Sequence, residues 1–189
     1  MRRLALTLLA IGGALGPFLS PAAAQEFPGN PSFKNPILPA AKNLASLAGC
    51  WVGKNPWGTP SRLTYELASD STVLVEYIEQ QGQVPMYSAY YLDGDTLMVH
   101  HFCSYGSQIR MKAEPSPDPK VVRFAYFDAT NVKSRESDDH MTSVQFTFLD
   151  PDHIEVVWGL HQNRKDHGDR FALTRVVEGC EVRRTVVWH

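Results

Sequence analysis

Residues 90–103 read Tyr-Tyr-Leu-Asp-Gly-Asp-Thr-Leu-Met-Val-His-His-Phe-Cys, a pattern that indicates the class of fold. Two runs rich in aromatic and β-branched residues flank Asp93, Gly94 and Asp95, and such runs favour β-strands. Asp and Gly tolerate the positive φ angles of a tight turn. The stretch therefore predicts a β-hairpin.

The same pattern of short β runs and turns continues along most of the chain. Asp150-Pro151-Asp152 separates two further runs, and Pro presets the backbone for a turn. No segment shows a long apolar repeat at helical spacing, although residues 42–47 are compatible with one or two helical turns. The predicted strands span residues 50–53, 62–68, 72–80, 86–92, 96–103, 108–114, 121–128, 142–149, 153–160 and 170–177, and the pattern allows an eleventh over 181–188.

Ten or so short antiparallel strands joined by hairpins fit either an up-and-down barrel or a two-sheet sandwich. A sandwich with Greek-key connections needs one or two longer crossovers. Residues 129–139 form the one long polar connection, which could be a crossover or a loop at a barrel rim. We predict an all-β fold, an antiparallel up-and-down β-barrel of about 8–10 strands.

The first residues have the layout of a secretory signal. Arg2 and Arg3 precede an apolar run over residues 4–15, and small residues end at Ala24. The run is too short to span a bilayer, which needs roughly 20 apolar residues. We expect a signal peptide over residues 1–24, an extended Pro-rich leader over 25–46 and a barrel domain over 47–189; the alternative is a retained anchor helix.

This layout predicts a periplasmic or secreted protein with no stable membrane insertion after cleavage. The formal charge is −2, so nothing attracts a nucleic-acid backbone. The chain has no G-x-S-x-G elbow, no H-E-x-x-H motif, no phosphate loop and no dinucleotide fingerprint. These absences remove the common hydrolase, metalloprotease and nucleotide-binding classes. The oligomeric state stays open.

Gly49-Cys50-Trp51 places a G-x-W triplet at the start of the first strand, which resembles the opening of lipocalins and related calycin barrels. The resemblance implies that Trp51 closes one barrel end beneath a ligand cavity, as in lipocalins and fatty-acid-binding proteins. Residues 90–103 and 108–111 are also similar to a group of exported bacterial proteins with runs of the type LDGD, HYC and GNQPRM. This chain departs at Phe102, Ser107 and Ile109. The similarity to that group implies a barrel fold but no particular reaction.

His101 and Cys103 are the first candidates for chemistry. Side chains alternate along residues 96–103, so these two share a face with Leu97 and Val99. If that face points inward, they could ligate a soft or borderline metal or an iron porphyrin, or act as base and nucleophile. The alternative is a buried His bonded to a carboxylate, with Cys103 as a small apolar residue.

Arg110 and Glu76 are the candidate charged contacts. Arg110 could reach the face of His101 and bind a ligand carboxylate or phosphate, although its alternation also fits an ordinary solvated face. Glu76 is the acid in an apolar strand pattern, where desolvation raises a carboxyl pKa and suits a general acid or base. Otherwise it pairs with Arg62 or Arg123.

Rim and wall residues complete the predicted site. Asp128 and His140 flank the long polar loop and could join His101, or could be plain solvated residues. Aromatic side chains within the strands either fill the interior or line a cavity for one flat or amphipathic guest. The predicted ligand contacts are Trp51, Tyr65, Glu76, Tyr90, His101, Cys103, Arg110, Tyr126, Asp128 and His140.

The three cysteines allow one disulfide and one free thiol, or three free thiols. Their spacing excludes a local C-x-x-C metal or redox motif. Because the first and last strands of a closed barrel are neighbours, we favour a Cys50–Cys180 disulfide.

The leading hypothesis is an exported barrel that binds a small apolar or amphipathic molecule and needs no cofactor. One alternative is an isomerase, lyase or hydratase without an organic cofactor, in which His101 and Glu76 trade protons. Another is haem or metal binding through His101 or Cys103. The last is an interaction module with a filled core and an apolar outer patch.

Overall fold

The computed structural model describes residues 42–180. The predicted signal peptide, residues 25–41 of the leader and the eleventh strand lie outside the described residues. One short helix, α1 (Lys42–Ala45), precedes ten strands. The strands are β1 (Gly49–Lys54), β2 (Pro60–Ala68), β3 (Val73–Gln80), β4 (Met86–Asp93), β5 (Thr96–Phe102), β6 (Gln108–Glu114), β7 (Val121–Thr130), β8 (His140–Asp150), β9 (His153–Gln162) and β10 (Lys165–Val176).

The strands form a closed antiparallel barrel in which each strand pairs with its neighbours in sequence and β1 pairs with β10. The all-β, up-and-down barrel is therefore confirmed. The long connection between β7 and β8 joins neighbouring strands, so it is a rim loop and not a crossover. Within residues 42–180, no helix is long and apolar enough to cross a membrane.

The hairpin between β4 and β5 turns at Gly94, whose φ is 60°, a value that an L side chain adopts at a cost. It sets the register in which Ser88 lies opposite His101 and Tyr90 lies opposite Val99. The turn predicted from Asp93-Gly94-Asp95 thus fixes which β5 side chains point inward.

One end of the barrel is closed by α1 and the segment after it. Leu44 and Leu47 are fully buried, and the indole Nε1 of Trp51 donates to the Leu47 carbonyl at 2.8 Å. The guanidinium of Arg175 lies 4.2 Å from the Trp51 ring and donates to the Ala48 carbonyl. Residues 42–47, where the sequence allowed one or two helical turns, therefore pack on this end of the barrel.

The middle of the barrel is filled by aromatic side chains. Tyr65, Tyr90, Phe124 and Phe146 are fully buried. Their rings meet in edge-on or tilted contacts, with centroids 5.7 to 6.5 Å apart. Such contacts add to the burial that stabilises a barrel core. The interior is thus solid from the Trp51 end to its middle.

A disulfide joins Cys50 and Cys180, the pair that the sequence favoured, and Cys103 is a free thiol. Cys50 lies on β1, next to Trp51, which faces inward. The chain after β10 comes back over β1 and β2, and Arg62 of β2 donates to the Gly179 carbonyl. The disulfide therefore ties the end of the described chain to the first strand.

Candidate functional site

A cavity of about 420 Å³ occupies the end of the barrel opposite α1. This volume is in the range of sites that hold one small molecule. The walls come from the ends of the strands and from the loops that join β1 to β2, β3 to β4 and β5 to β6. The lining residues are Asn55, Trp57, Thr59, Ile78, Gln80, Gln83, Val84, Met86, His101, Cys103, Ser104, Tyr105, Met141, Trp158, Leu160, Gln162, Asp169 and Phe171.

Large apolar side chains stand exposed around this cavity. Trp57 and Val84 are each 70% exposed and Tyr105 is 54% exposed, although all three line the cavity. Tyr105 is held in place by Gln162, whose side-chain amide donates to the Tyr105 hydroxyl at 2.8 Å. Exposed aromatic and aliphatic groups around a concavity are a common feature of binding sites for apolar partners.

His101 forms part of the deep wall. It lies on the inner face of β5, is fully buried, and its ring centroid is 4.6 Å from that of Trp158. Burial lowers the His101 pKa to about 3, with a smaller contribution from His100. Because this pKa is far below neutrality, the imidazole is uncharged at physiological pH.

Beneath His101, the buried carboxyl of Glu76 is surrounded by hydroxyl groups. Glu76 is fully buried and accepts hydrogen bonds from the Tyr65 hydroxyl at 2.7 Å and the Tyr90 hydroxyl at 2.8 Å. Interaction with the Ser88 side chain also favours the charged carboxylate. Burial raises the Glu76 pKa, and these hydrogen bonds oppose the rise. The tyrosine pKa values are raised too, mainly by burial.

Ser88 connects this carboxyl to His101. The Ser88 Oγ and the His101 Nδ1 are 3.0 Å apart. The tautomer sets the roles of the two ring nitrogens. Nε2 carries the lone pair when Nδ1–H donates to Ser88, and it carries the proton when the Ser88 hydroxyl donates to Nδ1. Among the described residues Nε2 has no hydrogen-bond partner, although it is buried. Protein atoms enclose Nε2 in this structure, so a ligand atom reaches it only if the surrounding side chains shift.

Cys103 lies near the mouth on the same face as His101, as the alternation predicted, and both line the cavity. Burial raises the Cys103 pKa, so the free thiol is protonated at neutral pH. The carboxyl of Asp169 also lines the cavity, and burial raises its pKa.

Tyr65, Glu76 and Tyr90 do not line the cavity; they form the hydroxyl and carboxyl cluster below it. Trp51 lies still deeper, at the α1 end. Glu76 pairs with neither arginine considered from the sequence, because Arg62 bonds the Gly179 carbonyl and Arg123 pairs with Glu114.

Arg110 lies on the outer face of the barrel, which corrects the expectation that it reaches the face of His101. In the register of β5 and β6, Arg110 pairs with His100, whose side chain points away from the interior, while Ile109 pairs with His101. The Arg110 guanidinium forms an exposed two-pronged ion pair with Asp128. Asp128 is therefore also outside the cavity.

His140 and Tyr126 also lie apart from the cavity lining. Their rings are 5.5 Å apart, and Arg135 of the β7–β8 loop stacks over Tyr126. His140 Nδ1 donates to the Asp138 carbonyl at 2.7 Å, and its ring lies 5.4 Å from that of His161. These residues pack the rim loop and do not join His101.

Sequence reasoning missed Ser88, Met86, Met141 and the rim residues as site residues. Ser88 and Met86 alternate with outward residues on β4, a signal that becomes useful only when the hairpin register with β5 is known. Trp57 and Val84 lie in loops, where no periodic pattern indicates direction.

Comparisons with known proteins support the fold alone. No protein-family model matches this chain, and no curated protein is significantly similar to it. Among solved structures, the crystal structure of Rv2717c from M. tuberculosis aligns with a TM-score of 0.50 and 13% sequence identity. The alignment covers 74% of this chain and 98% of that one. The barrel architecture is shared, and at this identity the likeness extends no further.

Proposed function

We propose that the protein binds one small, amphipathic molecule in the open end of the barrel. The apolar body of this molecule packs against the walls, and its hydrogen-bond donor bonds to the Nε2 of His101. The observation that carries the proposal is the 420 Å³ cavity, which has exposed apolar side chains at its rim and the buried His101 ring in its wall. In the tautomer whose Nδ1–H donates to Ser88, a ligand donor that reaches Nε2 would satisfy an acceptor that is otherwise unpaired.

The cavity chemistry favours an uncharged, mainly apolar guest. Ile78, Leu160 and Phe171 form apolar parts of the wall, and Trp158 offers an aromatic face beside His101. Arg110, the candidate partner for an anionic headgroup, is on the outside. With a neutral His101 and no Lys or Arg among the lining residues, the site is poorly suited to a carboxylate or phosphate and suits a hydroxyl or amine N–H.

We also propose that binding takes place outside the cytoplasm. The signal-like residues 1–24 support this location, and so does the Cys50–Cys180 disulfide, because disulfides persist mainly in oxidising compartments.

An acid–base enzyme that uses His101 and Glu76 together has less support. Glu76 lies behind Ser88 and does not line the cavity, so the two groups do not face one substrate atom. In this arrangement Glu76 positions His101 through Ser88 and is not in contact with a guest.

The test compares two flat probes that differ in one donor, 2-naphthol and 2-methoxynaphthalene, by isothermal titration calorimetry. We expect the wild type to bind one 2-naphthol and to prefer it over the ether roughly tenfold, which corresponds to about 1.4 kcal/mol for one hydrogen bond. In His101→Phe, which keeps a ring against Trp158, the preference should disappear.

The same pair of probes measured on Glu114→Ala, an outer-surface variant, serves as the control and should behave as wild type. Failure of both probes to bind the wild type, or an unchanged naphthol preference in His101→Phe, contradicts the proposal.

A further inference from the structure

A single acidic side chain lines the cavity. Among the described residues that line it, Asp169 is the only Asp or Glu, and there is no Lys or Arg. The Asp169 side chain is 16% exposed, so protein atoms do not enclose it. A guest in the cavity therefore meets one acidic group and no strongly basic one.

Asp169 stands in an aromatic part of the wall. In the register of β9 and β10 it lies directly opposite Trp158, and residues so placed share a face, with Cβ atoms roughly 5 Å apart. Phe171 follows two residues later on β10 and points to the same side of the sheet. Both rings line the cavity. The carboxyl group thus has an aromatic neighbour on its own strand and another on the adjacent strand.

A third ring comes from the β5–β6 loop. Tyr105 lines the cavity and is held by Gln162. Burial raises the Tyr105 pKa most, and the charge of Asp169 is among the smaller causes of the rise. The Tyr105 hydroxyl and the Asp169 carboxyl are therefore within electrostatic reach of each other.

The counter-charge that the protein itself supplies to Asp169 is distant. The His167 Nε2 lies 3.7 Å from the Asp169 Oδ1, which is longer than a hydrogen bond. Burial raises the Asp169 pKa, and the charge of His167 opposes the rise. A closer cation would stabilise the charged carboxylate further.

We propose that the cavity prefers a guest with a cationic head, an ammonium group on an apolar body, and that this ammonium pairs with the carboxylate of Asp169 beside Trp158 and Phe171. An N–H donor and an acceptor that are both charged form a stronger hydrogen bond than neutral groups do. The faces of aromatic rings also attract a cation.

This inference deepens the proposed function and rests on binding in the cavity, but it does not depend on the contact with His101. The apolar walls favour an uncharged body, and Asp169 favours a positively charged head. Of the two donors that suit the site, a hydroxyl and an amine N–H, the amine is therefore the better one.

The test compares naphthalen-2-ylmethanamine with naphthalen-2-ylmethanol by isothermal titration calorimetry of the mature protein at pH 7. The two probes have the same ring and the same length, but only the amine is charged. We expect wild type to bind the amine at least about tenfold more tightly, a difference of about 1.4 kcal/mol. In Asp169→Asn, which keeps the shape of the side chain, this preference should disappear while the alcohol binds as in wild type.

Two further variants serve as controls. Asp128→Asn removes the same charge from the outer face, where Asp128 pairs with Arg110, and should keep the preference for the amine. Asp169→Glu keeps the charge in the cavity and should also prefer the amine, which separates an effect of charge from an effect of packing.

The possible results distinguish this inference from the proposed function. Equal affinities of wild type for the two probes would overturn the cationic head and leave cavity binding intact. An unchanged preference in Asp169→Asn would place the amine elsewhere on the protein and overturn the inference as well. If wild type binds neither probe, both proposals are wrong.

A crystal structure of wild type with the bound amine gives a readout that does not depend on the folding of any variant. We expect the nitrogen of the probe about 2.8 Å from a carboxylate oxygen of Asp169. A nitrogen that lies away from Asp169 would contradict the assignment.

Discussion

His101 shows what a single position reveals in sequence and what it does not. Alternation along residues 96–103 predicted that His101 and Cys103 share a face, and the structure turns that face inward. The partner of His101 was not predictable, because Ser88 is an unremarkable serine until the hairpin register sets it opposite. The register of β5 and β6 likewise explains why Arg110 lies on the outer face, because it pairs with His100, whose side chain points outward.

The neutral state of His101 predicts a pH dependence of stability. Its pKa in the folded protein is about 3, below the ordinary value of 6.5, so the unfolded chain takes up the proton first as the pH falls. The contribution of this pKa difference to the free energy of unfolding is complete above pH 6.5. It is lost progressively as the pH falls towards 3. Wild type should therefore lose up to about 1.4 kcal/mol per pH unit more than His101→Phe in this window. Urea unfolding of both proteins at a series of pH values measures it, and parallel curves would contradict the assignment.

Glu76 is expected to stabilise the barrel through its two tyrosines. Glu76→Ala leaves the Tyr65 and Tyr90 hydroxyls without their acceptor in a buried site and should lower the free energy of unfolding by about 3–5 kcal/mol. Glu76→Gln keeps the shape and should cost less. The exposed pair of Glu114 and Arg123 supplies the control, because Glu114→Ala should cost under about 1 kcal/mol. Equal losses for Glu76→Ala and Glu114→Ala would show that the network is not formed.

At the scale of elements, strands were predicted well because alternation and turn residues are local signals. All ten predicted strands over residues 50–177 correspond to β1–β10, with ends that shift by a few residues. The largest shift is at β10, which begins at Lys165 and not at 170. Gly168 lies within this strand, and a glycine weakens a strand pattern although the register with β9 carries the pairing through it.

The disulfide should stabilise the closure between the first strand and the chain end. It links positions 130 residues apart, and restricting so long a loop in the unfolded chain should contribute about 2–4 kcal/mol. The double variant Cys50→Ala with Cys180→Ala should unfold at correspondingly lower urea, whereas Cys103→Ala keeps the disulfide and should change little. Thiol titration of the unreduced wild type in denaturant should count one reactive thiol. Three thiols, or equal stability of the two variants, would contradict the pairing.

At the scale of the whole molecule, closure of the barrel was predictable and the cavity was not. Sequential hairpins favoured an up-and-down barrel, and β1 pairs with β10 as closure requires. Whether aromatic residues fill the interior depends on the level at which each one lies along the barrel axis. Tyr65, Tyr90 and Phe146 fill the middle, while the open end keeps space beside Trp158. No local sequence pattern indicates how far along the barrel axis each aromatic side chain lies.

A larger side chain in the wall of the open end should remove the binding site. We would titrate wild type, Leu160→Trp and Leu149→Trp with the uncharged fluorescent probe N-phenyl-1-naphthylamine and follow its fluorescence. Leu160 lines the cavity and Leu149 is exposed on the outside, so the same substitution is made in both places. We predict saturable binding of one probe by wild type and Leu149→Trp, and at least about tenfold weaker binding by Leu160→Trp, a loss of about 1.4 kcal/mol. No saturable binding by wild type, or equal affinities in all three proteins, would contradict a binding cavity inside the barrel.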